Sequence, residues 1–222
     1  MTGIDEASWI RPLRPYAEIF KVPGAWRFSV AGVIGRMPMS MFGLGTVLLI
    51  SSVTGKYGDA GAVSAVGSLG YAFVAPRVAR LADGHGQRGV LLRLVLVFVL
   101  STAGLILAVE LKAPTWAFFL PGAVSGATMP SLGTMVRARW STLLSGTSRL
   151  HTAFSFESVA DELCFIIGPV AVTLLATDVH PASGVGVAAV LALTGTLWLA
   201  AQRATEPVAA VPAPTAPRTT RA

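Results

Sequence analysis

The sequence predicts an all-α membrane protein with six transmembrane helices; the paired Met-Pro steps and the resemblance given below add that they form one bundle built from two inverted three-helix repeats. Three observations predict it: a composition that leaves no water-facing surface, six apolar windows long enough to cross a bilayer, and a lopsided distribution of lysine and arginine between the connections. Of 222 residues, 53% are hydrophobic and 13% charged, with a mean hydropathy of +0.67. A soluble domain carries about 25% charged residues.

About twenty helical residues cross a hydrocarbon core of about 30 Å. Windows of that length fall at residues 26–53, 60–82, 89–110, 115–136, 152–176 and 181–201. Polar punctuation separates them: Thr54 to Asp59, Asp83 to Arg88, Glu110 to Pro114, Arg137 to Arg149, and Asp178 to Pro181. The chain divides into an N-terminal segment (1–24), a transmembrane bundle (25–203) and a tail (204–222). The tail is rich in Pro, Ala and Thr, cannot bury a core, and is expected to be disordered. Residues 1–24 are polar and mixed in charge and precede an apolar segment too long for a signal-peptide core, so no cleavable signal is expected.

Orientation follows from counting Lys and Arg on alternate sides. One side holds Arg11, Arg14, Lys21 and Arg27, then Arg77, Arg80, Arg88 and Arg93, then Arg137, Arg139 and Arg149, then Arg203, Arg218 and Arg221. The other holds only Lys56 and Lys112. Fourteen against two places both termini in the cytoplasm of a multi-pass cell-membrane protein. Trp26, Tyr57, Trp116, Trp140 and Trp198 fall near segment ends, where amphipathic rings prefer the interface.

The net charge of +6 does not imply nucleic acid, because no basic cluster lies on a polar stretch with interleaved aromatics. The single cysteine, Cys164, excludes an internal disulfide and a multi-cysteine metal site, and none of the three histidines is spaced as a metal pair. No metal or cofactor is expected. An enzyme is disfavoured as well: Ser155 and Ser158 lie near Glu157, but no histidine shares that depth.

The charged residues inside apolar segments carry the chemistry. Arg36 lies about ten residues into the first segment, about 15 Å deep, where an unpaired charge costs several kcal/mol. The fifth segment offers Glu157, Asp161 and Glu162 at comparable depth. Glu157 and Asp161 are four apart and share a face, while Glu162 is turned about 100° away. One arginine cannot neutralise three carboxylates, so at least one is expected to hold a proton at neutral pH. Three readings stand: a structural ion pair that fixes helix packing, a carboxylate that loads and unloads a proton, and direct contact with a cationic or polar substrate.

Two Met-Pro steps recur near mid-segment, at Met37-Pro38 and Met129-Pro130. Matching proline-interrupted helices in two halves point to an inverted repeat with a site at the midplane, although proline is common in membrane helices. Gly32 and Gly35, Gly43 and Gly45, Gly67 and Gly70, and Gly122 and Gly126 are spaced for close helix packing.

The most specific element is Ala79-Arg80-Leu81-Ala82-Asp83-Gly84-His85-Gly86-Gln87-Arg88. It resembles the signature of the major facilitator superfamily, G-x-x-x-D-x-x-G-x-R, between helices two and three. Asp83, Gly86 and Arg88 match. Ala79 replaces the first glycine, and Gly84 and Gln87 stand where many members have Arg or Lys. Asp83 lies among Arg77, Arg80 and Arg88 and is expected to form a breakable ionic latch, with Gly84 and Gly86 allowing the turn. The resemblance implies that this loop stabilises the outward-facing state by contacting a second bundle. Gly168-Pro169 resembles part of the antiporter motif of drug-efflux members, but Val170 to Val172 replace its glycines. Segment four has no charge before Arg137, so the helix-four arginine of many proton-coupled members is missing. The layout is most similar to the amino-terminal half of actinobacterial efflux-type members.

The resemblance covers residues 1 to about 203, one six-helix bundle where members of the superfamily have two. It implies a transporter or half-transporter, moving small organic molecules by proton coupling or efflux. A homodimer or a separate chain would supply the second bundle. Arg36, Glu157, Asp161 and Glu162 would form the site, and Pro38, Pro130 and Pro169 would shape the helices. The alternative is a non-transporting six-helix protein, a remnant or an interaction partner.

Overall fold

The structure is a computed structural model that describes residues 14–208. A short helix α1 (Arg14–Ile19) precedes α2 (Ala25–Thr54), α3 (Tyr57–His85), α4 (Gln87–Glu110), α5 (Trp116–Thr128), α6 (Leu132–Leu143), α7 (Arg149–Leu174) and α8 (Ser183–Ala201). α7 runs into a π turn, Leu175–Val179, and a 3₁₀ turn, Arg203–Thr205, follows α8. Five helices are long and apolar enough to cross a membrane: α2, α3, α4, α7 with its π turn, and α8.

The fourth predicted segment differs. It is two helices rather than one, because the chain leaves the helix at Met129-Pro130-Ser131. Proline has no N–H to continue the ladder and forces the preceding residue out of the helical region, and Met129 sits at φ −58, ψ 124. Pro38 and Pro169, by contrast, lie inside the continuous helices α2 and α7. The two Met-Pro steps are therefore structurally unequal. α6 also carries helix through residues 137–143, which the sequence predicts as loop.

α2 and α8 are the most enclosed helices, and α2 also packs on α7, α3 and α6. Phe28, Leu91, Leu132, Val136, Trp140 and Leu199 fill one end of the interior, and Phe42, Leu49, Val63, Phe98, Leu105 and Phe118 fill the other. Large apolar side chains remain exposed on α4 (Leu96, Leu100, Leu107) and on α7 (Val159, Leu163, Ile166, Val170). Helices apolar on all sides suit a hydrocarbon surround.

Small residues set the closest approaches. A Cβ on Gly126 would run into the backbone of Gly67, and one on Gly195 would run into the Cα of Gly35, so α3 meets α5 and α8 meets α2 backbone to backbone. The aromatic ring of Trp140 is not an interface anchor. It is fully buried against Phe28, with ring centroids 4.7 Å apart.

Candidate functional site

Three helices each present one face to a buried charge cluster. α2 supplies Ser29 and Arg36, seven apart; α7 supplies Glu157 and Asp161, four apart; α6 supplies Arg137 and Trp140, three apart. Arg36 is 5% exposed, and its guanidinium folds back so that Nε donates to the carbonyl of Gly32 at 3.1 Å. Gly32 makes room for this, since a Cβ there would stand 3.2 Å from Arg36 Nη2.

The two carboxylates have different surroundings. Glu157 is fully buried and saturated: Oε2 pairs with Arg36 Nη2, while Oε1 accepts from Ser29 Oγ at 3.1 Å and Trp140 Nε1 at 2.9 Å. Asp161 is bridged between two arginines, Oδ1 to Arg36 Nη1 at 2.7 Å and Oδ2 to Arg137 Nη2 at 2.6 Å. Its side chain is 30% exposed and borders a cavity of about 170 Å³ with Tyr71, Ser131, Thr134 and Arg137.

Glu162 does not join them. It is exposed on the far face of α7 among Val159, Leu163 and Ile166, and among the described residues it has no ion-pair partner. The 100° turn from Asp161 that the sequence predicts carries it away from Arg36. Arg137, Ser29 and Trp140 are the members that sequence reasoning misses. The fourth window ends at 136, one residue before Arg137, because the run Arg137-Ala138-Arg139 reads as a polar connection. A helical period continued past Pro130 would have brought Arg137 and Trp140 to one face.

Arg139, also expected in the loop, is wholly buried. It donates to Gln87 Oε1 at 3.0 Å, the Leu199 carbonyl at 3.1 Å, the Gln202 carbonyl at 2.9 Å and Thr205 Oγ1 at 2.8 Å. A cation at the last carbonyls of α8 satisfies groups that the helix end leaves open. The tail expected to be disordered from 204 is thus held through Thr205, and Glu206 Oε1 accepts the backbone N–H of Arg88 at 2.8 Å, on the first turn of α4. Burial of Thr205 against Gly24 and Arg139 is the physical reason. Residues 209–222 lie outside the described residues, as do residues 1–13 of the N-terminal segment.

This geometry predicts a local effect. Glu206→Gln removes the negative charge from the N-terminus of α4, where such a charge contributes about 0.3–1 kcal/mol. Amide hydrogen exchange at Gln87 to Gly89 should accelerate in that variant while the amides of α2 keep wild-type rates. Equal rates at Gln87 to Gly89 would refute the anchoring role.

The sequence matches the family model described as Major Facilitator Superfamily over residues 28–222. The chain belongs to the major facilitator superfamily. It is therefore a multi-pass membrane protein of a transporter family, not an enzyme family. No curated protein and no solved structure matches it. The superfamily loop lies where the sequence predicts, but its parts act differently. Gly86 alone joins α3 to α4, at φ 85 and ψ 147, a positive-φ extended conformation that favours glycine, whereas Gly84 is helical. Asp83 is exposed and makes no ion pair among the described residues, so the expected latch to Arg77, Arg80 or Arg88 is not formed. Arg88 contributes its backbone N–H, to Glu206. Arg137, the first charge after the break, lies on α6.

Proposed function

We propose that the chain forms one six-helix bundle of a proton-coupled transporter for small organic molecules, with Asp161 as the proton carrier. The observation that carries this reading is the contrast between the two carboxylates. Glu157 is sealed and saturated and serves as a structural counter-charge for Arg36. Asp161 faces a cavity and is held by two arginines from different helices, so its protonation would break the ionic bridge that runs from α6 through α7 to α2, while Trp140 keeps its bond to Glu157. Breaking such a bridge is the kind of two-state event that alternating access requires.

The remaining parts belong to the same proposal. Two inverted three-helix repeats build the bundle, both termini face the cytoplasm of the cell membrane, and the activity is proton-coupled transport or efflux. A second six-helix bundle completes the cavity. The exposed apolar face of α7 around Glu162 supports such a partner, since a carboxylate facing hydrocarbon is costly. One observation favours the alternative, a non-transporting protein: Arg36, Arg137, Glu157 and Asp161 balance within this chain.

Reconstitution decides between them. In liposomes containing a pH-sensitive dye, the chain should discharge an imposed pH gradient when a transported solute is added from a panel of small acids, amines and neutral compounds. Asp161→Asn should abolish the discharge while leaving insertion and the melting midpoint near wild type. Discharge that survives in Asp161→Asn removes the proton role, and no discharge with any solute supports the non-transporting alternative.

A further inference from the structure

We infer that the site selects small organic anions, an oxyanion headgroup on an apolar body. The inference rests on the proposed transport reading for its biological sense and on separate geometry for its chemistry. The break at Pro130 leaves α6, a twelve-residue helix, with its N-terminus inside the protein. Its first in-register backbone bond is from Met135 to Ser131 at 3.5 Å, and the N–H groups of Leu132, Gly133 and Thr134 have no partner among the described residues. These three residues line the same cavity as Arg137 and Asp161. Free N–H groups at a helix start, with the helix dipole behind them, favour an anion.

Arg137 adds the charge. Its guanidinium carries five N–H donors, and Nη2 to Asp161 is its only hydrogen bond among the described residues. A Cβ placed on Gly133 would lie 3.7 Å from Arg137 Nη1 and 3.9 Å from Asp161 Oδ1, so this position at the helix start borders both the guanidinium edge and Asp161, and it suits an anion once Asp161 carries a proton. A planar carboxylate there could take two bonds from Arg137 and one or more from the helix start. Asp161 does not already occupy this position, because both its oxygens are committed to arginines. For the same reason a cation would gain little from Asp161, and Glu157 is sealed.

The cavity continues into an adjoining one of about 220 Å³, the two sharing Met39, Tyr71 and Phe165. Its further walls are mostly apolar, with Phe42, Val63 and Met129; Ser64 and Ser68 also line it but donate to backbone carbonyls, whereas Thr46, 1% exposed, has a hydroxyl without a partner among the described residues. An aromatic or branched body with a hydrogen-bonding group at its far end fits this space.

The charge sum fits as well. Arg36, Arg137, Glu157 and Asp161 balance as they stand, and a proton on Asp161 leaves one positive charge for an incoming anion. The groups facing Asp161 are Arg36 from α2, Arg137 from α6, Tyr71 from α3, and Glu157 and Cys164 on its own helix, with Glu162 turned away and no titratable group on α8.

Benzoate, benzamide and benzylamine differ in headgroup charge and little else. Titrated calorimetrically into the full chain in lipid nanodiscs, benzoate should bind at least tenfold more tightly than the other two. Arg137→Gln should weaken benzoate at least tenfold, with part of the affinity retained in Arg137→Lys. Gly133→Leu, which fills the headgroup position without removing a charge, should abolish binding while the melting midpoint holds. Absence of benzoate binding, equal or tighter binding of benzylamine or benzamide, or unchanged benzoate affinity in Arg137→Gln would each overturn the anion assignment. Proton-coupled transport would still stand on the pH-gradient assay. Conversely, Arg137-dependent benzoate binding with no gradient discharge would keep the anion site and remove transport.

Discussion

Replacing Arg36 by methionine is expected to destabilise the bundle by about 3–5 kcal/mol, because it strands a buried carboxylate. Glu157 has no exposed surface, and Arg36 is its only ionic partner among the described residues. Ser29 and Trp140 would still donate to Oε1, but neither carries a charge. The loss should appear as a lower denaturation midpoint in detergent. Adding Glu157→Gln to Arg36→Met should recover much of it, since an amide costs far less than an unpaired carboxylate in the same place. Recovery by the second substitution separates a charge effect from lost packing of the arginine stem. A single variant within about 1 kcal/mol of wild type would mean that the pair is far less buried in the membrane than its geometry indicates.

Gly126→Ala is the second large effect, and it contains no charge at all. The new methyl group would meet the carbonyl and Cα of Gly67 on the facing helix. Overpacked side chains usually cost about 1–3 kcal/mol, because a neighbour can turn aside. Here the neighbour is backbone and has no rotamer to change, so the cost should reach the top of that range or exceed it. Gly104→Ala on α4 is the matched control. Its Cβ meets nothing within 4 Å, and a glycine-to-alanine change inside a helix gains about 0.5–1 kcal/mol. Opposite shifts in the melting midpoint of the two variants are the expected result, and a neutral Gly126→Ala would show that α3 and α5 separate easily.

The parts of the site that were legible from sequence are those where one residue violates its surroundings. Arg36, Glu157 and Asp161 stand out because charges in long apolar runs need partners, and helical spacing alone puts the two carboxylates on one face. The same rule turns Glu162 away, yet its depth alone drew it into the expected set. Arg137 and Arg139 were not legible, because two arginines among polar residues look the same whether they face water or ion-pair inside a helix. Pro130 signalled an interruption without saying whether the helix would kink or stop. Its twin at Pro38 stays helical, so identical dipeptides gave unequal outcomes. The capture of Thr205 and Glu206 was hidden for another reason: it depends on Arg139 and the start of α4, partners 66 and 118 residues away.

The separation between Arg36 and its counter-charges also sets a clock for biosynthesis. Glu157 follows Arg36 by 121 residues. At about 5–20 residues per second, the ribosome needs roughly 6–24 s to deliver it. During that interval α2 is already available for insertion, and neither of the carboxylates that hold its guanidinium in the finished bundle, Glu157 and Asp161, has been made. Arg36 must then wait beside water or lipid headgroups, and α2 can settle at its final depth only after α7 has been made. A helix translated long before α7 is thereby locked in place only after it.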